Sequence, residues 1–127
     1  SLEHVRSLGL AAFTPEEFER SEFFKPERFD SLLLSHVAEH MTQGEAIGLL
    51  RPYIPLLKKG GKLVMITPQE AGFKKDASHR EFMDFGKLRT IAGTLGFSPL
   101  KEYSFPFPRF LGRFFYFNEF ISVSVKT

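Results

Sequence analysis

Four stretches of this 127-residue chain carry side chains suited to chemistry. The first is His36-Val37-Ala38-Glu39-His40. It matches the H-x-x-E-H pattern, in which two histidines one helical turn apart hold zinc beside a glutamate base. That chemistry needs a long helix around the motif and a third ligand. Instead the continuous apolar run Ser31-Leu32-Leu33-Leu34-Ser35 enters it, the mark of a strand buried on both faces. The preferred reading places Ser35, His36 and Val37 at the carboxyl end of that strand, where open α/β sheets bind ligands. A zinc hydrolase built on His36, Glu39 and His40 is the alternative, and no resident metal is expected. Glu39 and His40 read as braces for the next helix.

The second stretch is the polar loop from Pro68 to Arg80, with Gln69, Phe73 and His79. Long loops after central strands tend to carry function, so Gln69 and Phe73 are substrate candidates and His79 a candidate general base. The third, Thr14-Pro15-Glu16-Glu17, offers an acid, Glu16 or Glu17, at a helix start. The fourth, Tyr103 to Phe120, interleaves aromatics with Arg109 and Arg113 and includes Tyr116, a further substrate candidate. It reads as core plus a hydrophobic lid over a pocket.

The elements that must position these groups follow from periodicity. Gly9 to Phe13 reads as a short strand. Thr14 caps the next helix, with Pro15 at its first position and Glu17 closing a capping box. Thr42 and Glu45 make a second capping box, ahead of Ala46, Leu49, Leu50, Tyr53 and Leu57 at helical spacing. Pro52 and Pro55 must kink or split that helix, and Lys58 to Gly61 reads as its stop. Lys62 to Thr67 is a second buried strand, giving a βαβ crossover of right-handed sense. Asp84 opens a helix with Leu88, Ile91, Ala92 and Leu95 on one stripe, stopped by Gly96. A strand interrupted by Pro99 pairs from about Leu100. The last strand sets Ile121, Val123 and Val125 on one face against Phe120, Ser122 and Ser124 on the other, a pattern suited to antiparallel pairing.

Lys and Arg number 17 against 15 Asp and Glu, so the net charge of +2 leaves no strong nucleic-acid footprint. The absence of cysteine excludes disulfides and fits a cytoplasmic protein. No apolar run approaches the roughly 20 residues needed to span a bilayer.

Taken together, Phe29 to His40, Leu57 to Met65, Thr67 to Phe73 with Asp76, His79 and Asp84, and the closing Gly96-Phe97, Phe105 to Pro108 and Asn118 to Phe120 resemble class I S-adenosylmethionine-dependent methyltransferases. The resemblance implies an α/β fold, a partial doubly wound Rossmann-like sheet with its last strand antiparallel. Across residues 1–127 it implies one partial methyltransferase domain. Family strand order is 3-2-1-4-5-7-6, and Gly9 to Phe13 would be strand three. Strands one and two, with the Gly-x-Gly loop and the acid that holds the cofactor ribose, have no counterpart here.

The same resemblance puts S-adenosylmethionine beside Ser35, His36, Val37 and, after strand three, Glu16. It implies methyl transfer to a small-molecule substrate. A non-catalytic, self-associating remnant of the fold is the other reading. The bare edge of strand four, around Leu32 to Leu34, then invites a homodimer or a strand rearrangement.

Overall fold

The computed structural model describes all of residues 1–127. In chain order the elements are α1 (Leu2–Ser7), α2 (Pro15–Glu19), β1 (Phe29–Ser35), α3 (Gln43–Leu50), β2 (Leu57–Pro68), α4 (Glu70–Lys75), α5 (Phe85–Thr94), β3 (Phe97–Phe105) and β4 (Glu119–Lys126). Three 3-10 turns, Ala38–His40, Arg51–Leu56 and Arg109–Arg113, link them. The strands form one mixed sheet in the order β1-β2-β4-β3. Only β1 and β2 run parallel, and β4 is antiparallel to both neighbours. This is the order and sense expected for the fourth, fifth, seventh and sixth strands of a doubly wound sheet.

Local chemistry explains most boundaries. Thr14 and Thr42 each accept a hydrogen bond from the backbone N–H three residues on, and Glu17 and Glu45 reach back to close both capping boxes. Both glutamates are held below the ordinary carboxylate range, chiefly by those capping hydrogen bonds. Pro52 and Pro55 split the second helical stretch: α3 ends at Leu50 and a 3-10 turn carries the chain to Leu56. Asp84 caps α5, and Gly96 leaves it at φ +90°.

The core lies on one face of the sheet. Leu63 and Met65 of β2, Phe97 of β3 and Phe120 of β4 pack against Ala46 and Leu50 of α3 and Leu88, Ile91 and Ala92 of α5. On β4 the covered face is the one bearing Phe120, Ser122 and Ser124, which are all but fully buried. The opposite face carries Leu33, Val64, Ile66, Val123 and Val125. Leu33 is 61% exposed and Val64, Ile66, Val123 and Val125 are half-buried, whereas Ile121 on the same face is buried at 8%. An apolar face on central strands is built to be covered, yet the helices of the core all pack on the other side.

Three expectations need correction. Gly9 to Phe13 is not a strand: α1 turns at Gly9 (φ +83°), and Leu10 to Thr14 form no ladder. A strand needs a neighbour for its amides, and here Arg6 instead bonds the Ala12 carbonyl and Glu17. Lys58 to Gly61 is not a helix stop but the opening of β2. The register slips there between Phe29 and Ser31, Gly60 takes φ +81°, and a Cβ on Gly61 would sit 2.7 Å from the Lys58 carbonyl. Finally, β3 pairs from Phe97 rather than Leu100. The break needed by Pro99, which has no N–H, is absorbed by a register shift between Pro99 and Lys101. The Pro68–Arg80 loop also holds a short helix, α4, that its polarity conceals.

Candidate functional site

The carboxyl ends of β1 and β2 gather most of the chemically useful side chains. Ser35 ends β1 and is exposed. His36 follows at φ +56°, a left-handed conformation that a side chain adopts at a cost of roughly 1–2 kcal/mol. Its backbone N–H still bonds the Ile66 carbonyl at 2.9 Å, so the turn is anchored to β2. The half-exposed imidazole lies between two carboxylates, with Nε2 3.2 Å from Glu119 Oε1 and Nδ1 3.5 Å from Glu39 Oε2. Val37 then leads into the 3-10 turn that buries Ala38 and Glu39.

That turn is clamped to a distant segment. Arg80 and Glu81 both donate backbone N–H groups to the Glu39 carbonyl, at 2.7 and 3.2 Å. The clamp brings His79 against Glu39 and His40. The His79 side chain is only 9% exposed, stacks on Phe73 at 5.3 Å between centroids, and meets the Phe73 carbonyl through Nδ1 at 2.8 Å. Its Nε2 faces Glu39 Oε2 at 3.9 Å and Asp76 Oδ2 at 3.8 Å. Asp76 itself is held below the usual range, mainly by hydrogen bonds from Ser78.

A second cluster braces the neighbouring loop. Gln69 is fully buried. Its Nε2 donates to Ser104 Oγ and the Glu119 carbonyl, and its Oε1 accepts from Asn118 Nδ2 at 2.9 Å. Asn118 Oδ1 in turn accepts the Phe107 N–H. Glu70 receives a bidentate pair from Arg109 at 2.7 and 2.9 Å, which holds its carboxyl below the usual range. Tyr116 is 56% exposed and carries the Lys75 ammonium over its ring, 3.4 Å from the centroid.

The expected site residues thus divide. Ser35, His36, Val37, Phe73 and His79 fall in one region. Glu16 does not join them: it is exposed on α2, whose Phe18 packs on Phe29 at the amino end of β1, about 20 Å of strand from Ser35. Gln69 spends its amide on internal bonds, so a substrate contact is replaced by a bracing role. His79 directs both ring nitrogens at protein atoms, which removes the geometric basis for a base that reaches substrate. Of the imidazoles around Glu39, His36 is the most exposed, at 47% against 37% for His40 and 9% for His79. In the H-x-x-E-H motif, His79 rather than His36 groups with Glu39 and His40. That grouping joins residues 40 positions apart across a crossover, so no linear spacing signals it. The Glu119 partner of His36 and the Asn118–Gln69 brace are equally invisible in a motif.

No family model matches the sequence, and no curated protein matches it. Solved structures match its fold. A 1,6-didemethyltoxoflavin-N1-methyltransferase from Burkholderia thailandensis, with 1,6-didemethyltoxoflavin and S-adenosylhomocysteine bound, superposes with a TM-score of 0.60. The identity is 17%, over 81% of this chain and 46% of that one. Magnesium protoporphyrin IX methyltransferase from Synechocystis PCC 6803, with S-adenosylmethionine bound, gives 0.54 at 15% identity, over 78% and 39%. A SAM-dependent methyltransferase from Archaeoglobus fulgidus gives 0.57 at 15% identity, over 98% and 80%. The chain therefore spans less than half the length of the first two. At these identities the likeness establishes the fold: this is part of a class I methyltransferase fold.

Proposed function

We propose that this chain is the C-terminal part of an S-adenosylmethionine-dependent methyltransferase acting on a small molecule. The observation that carries the reading is the β1-β2-β4-β3 sheet, parallel then antiparallel, together with the superposition of this chain on solved methyltransferases. In such a sheet ligands bind outside the carboxyl ends of the strands, where Ser35, His36 and Val37 stand. Exposed Ser35 and half-exposed His36 suit contact with a polar cofactor there. These residues make one wall of a cofactor site. No Gly-x-Gly loop after a strand occurs in the sequence, and its paired glycines, Gly60 and Gly61, lie in the bulge of β2.

When bound, S-adenosylmethionine supplies an activated methyl group. The residues of this chain orient and shield. Phe73 and Tyr116 flank the approach as apolar and stacking surface for an acceptor. Gln69 and Asn118 fix the loop that carries them. His36, held between Glu39 and Glu119, offers a fixed polar contact for the cofactor at the strand end.

Calorimetry with S-adenosylhomocysteine tests this reading, on the chain alone and on the chain with the coding sequence that precedes Ser1. A Gly-x-Gly loop upstream and binding by the longer protein are expected. A longer protein that carries that loop yet binds nothing would overturn the assignment.

A second reading, a non-catalytic and self-associating form of the fold, draws on one observation. β1 is a bare sheet edge. Beside it lies an apolar groove of about 410 Å³ lined by Phe18, Leu32, Leu33, Leu34, Leu49 and Tyr53 among others. An unpaired hydrophobic edge is a template for another strand, and a homodimer formed through β1 is the form this reading takes.

A further inference from the structure

Glu39 is completely buried, and neither of its carboxylate oxygens has a hydrogen-bond partner. A lone buried carboxylate is strongly unfavourable unless a positive group or proton compensates it. Three imidazoles face it, the nearest being His36, whose Nδ1 lies 3.5 Å from Glu39 Oε2 and whose Nε2 is taken by Glu119. Nε2 of His40 and Nε2 of His79 each lie 3.9 Å from Glu39 Oε2, with the two rings 4.8 Å apart.

The opposite ring nitrogens settle what these Nε2 atoms offer. His79 Nδ1 lies 2.8 Å from the Phe73 carbonyl, and a carbonyl only accepts, so that nitrogen carries the proton. His40 Nδ1 lies 3.3 Å from the Ser78 carbonyl and 3.2 Å from Ser78 Oγ. That hydroxyl already donates to Asp76 at 2.7 Å, so it too is an acceptor toward His40. Each neutral imidazole therefore presents an Nε2 lone pair to a carboxylate. Three electron-rich atoms, one from each of Glu39, His40 and His79, converge within 4.8 Å of one another. Such a set suits a cation placed among them, and an Nδ1–H bonded to a carbonyl is the usual outer support of a metal-binding histidine.

We propose that Glu39, His40 and His79 bind one divalent transition-metal ion, with zinc the best match to two imidazoles and a carboxylate. Tetrahedral zinc places its ligand atoms about 3.3 Å apart, so the trio closes by shifts of about half an ångström. The His40 side chain is 37% exposed and gives the ion a route from solvent. The site differs from the H-x-x-E-H reading in both membership and role. His79 replaces His36, and Glu39 is a ligand rather than a base. Metal binding here goes beyond methyl transfer and is read without it.

The test is zinc titration of the chelator-treated 127-residue chain, by calorimetry and by competition with a chromogenic chelator. Cobalt substitution reports the geometry. One equivalent per chain, a rise in the thermal midpoint, and the intense visible bands of tetrahedral cobalt are expected. His79→Phe keeps the ring stack on Phe73 and should weaken zinc binding by roughly tenfold or more. Glu39→Gln should do the same, while His4→Ala, on the exposed helix α1, leaves the affinity unchanged. Should Glu39→Gln fail to fold, the His79→Phe comparison and the cobalt spectrum still decide. Absence of stoichiometric binding, or an unchanged affinity in folded His79→Phe, overturns the proposal and leaves Glu39 balanced by an imidazolium.

Discussion

At the scale of single residues, two close approaches define what the site loops tolerate. Gly112 lies against Gln69 so tightly that a Cβ there would overlap the Gln69 amide. Gly72 is pressed in the same way by the Tyr116 backbone carbonyl. Gly112→Ala must either displace the Gln69–Asn118 brace or move the 3-10 turn of residues 109–113. A loss of about 1–3 kcal/mol in urea unfolding is expected. The Glu70–Arg109 pair gives a pH dependence of definite sign. Arg109 lowers the carboxyl's folded pKa, so its contribution is fully present above the ordinary glutamate range and fades as pH falls through the lowered value. Unfolding midpoints of wild type and Arg109→Ala should differ at pH 7 and draw together toward pH 3. Curves that stay parallel across that range would show that the pair adds nothing through its charge.

At the scale of elements, the two capping boxes are chemically alike but serve different loads. α3 places Ala46 and Leu50 in the core, whereas α2 buries no residue. Thr42→Ala is therefore expected to lower global stability by about 0.5–2 kcal/mol. Thr14→Ala should fray α2 with little change in the global midpoint. Hydrogen exchange resolved by segment, alongside urea unfolding, separates the two outcomes. An equal loss from both variants would mean that α2 folds cooperatively with the sheet. The central strand β2 bears a comparable load in the core. Leu63 is fully buried between α3, α5 and the sheet, and Leu63→Ala should remove about 2–5 kcal/mol.

At the scale of the whole molecule, one sheet face and one sheet edge stand open. The serines of β4 lie beneath the helices, where their small size allows close approach, while the valines of the other face remain half-open. Self-association through β1 and this face predicts a sedimentation coefficient that rises with concentration. Leu33→Lys puts a charge on the most exposed aliphatic side chain of that face and should shift the population toward monomer. A wild-type chain that stays monomeric at high concentration would remove the self-association reading and leave the methyltransferase reading untouched. No helix of the chain is long and apolar enough to cross a membrane.

The sequence by itself determined the starts of α2, α3 and α5, the split at Pro52 and Pro55, the parallel pair and the antiparallel closing strand. Each follows from periodicity or from a side chain's bond to its own neighbourhood, and such signals are local. It also placed Ser35, His36 and Val37 at a strand end, because an apolar run stopping at polar residues marks that position directly. Tertiary structure alone decided the rest. Whether Gly9 to Phe13 became a strand depended on a hydrogen-bonding neighbour, which no local pattern encodes. Whether Gln69 faced solvent or Asn118, and whether His79 met substrate or Glu39, depended on contacts across about 40 to 50 residues. His79 meets the Glu39-His40 turn only because the backbone clamp from Arg80 and Glu81 brings its loop within reach.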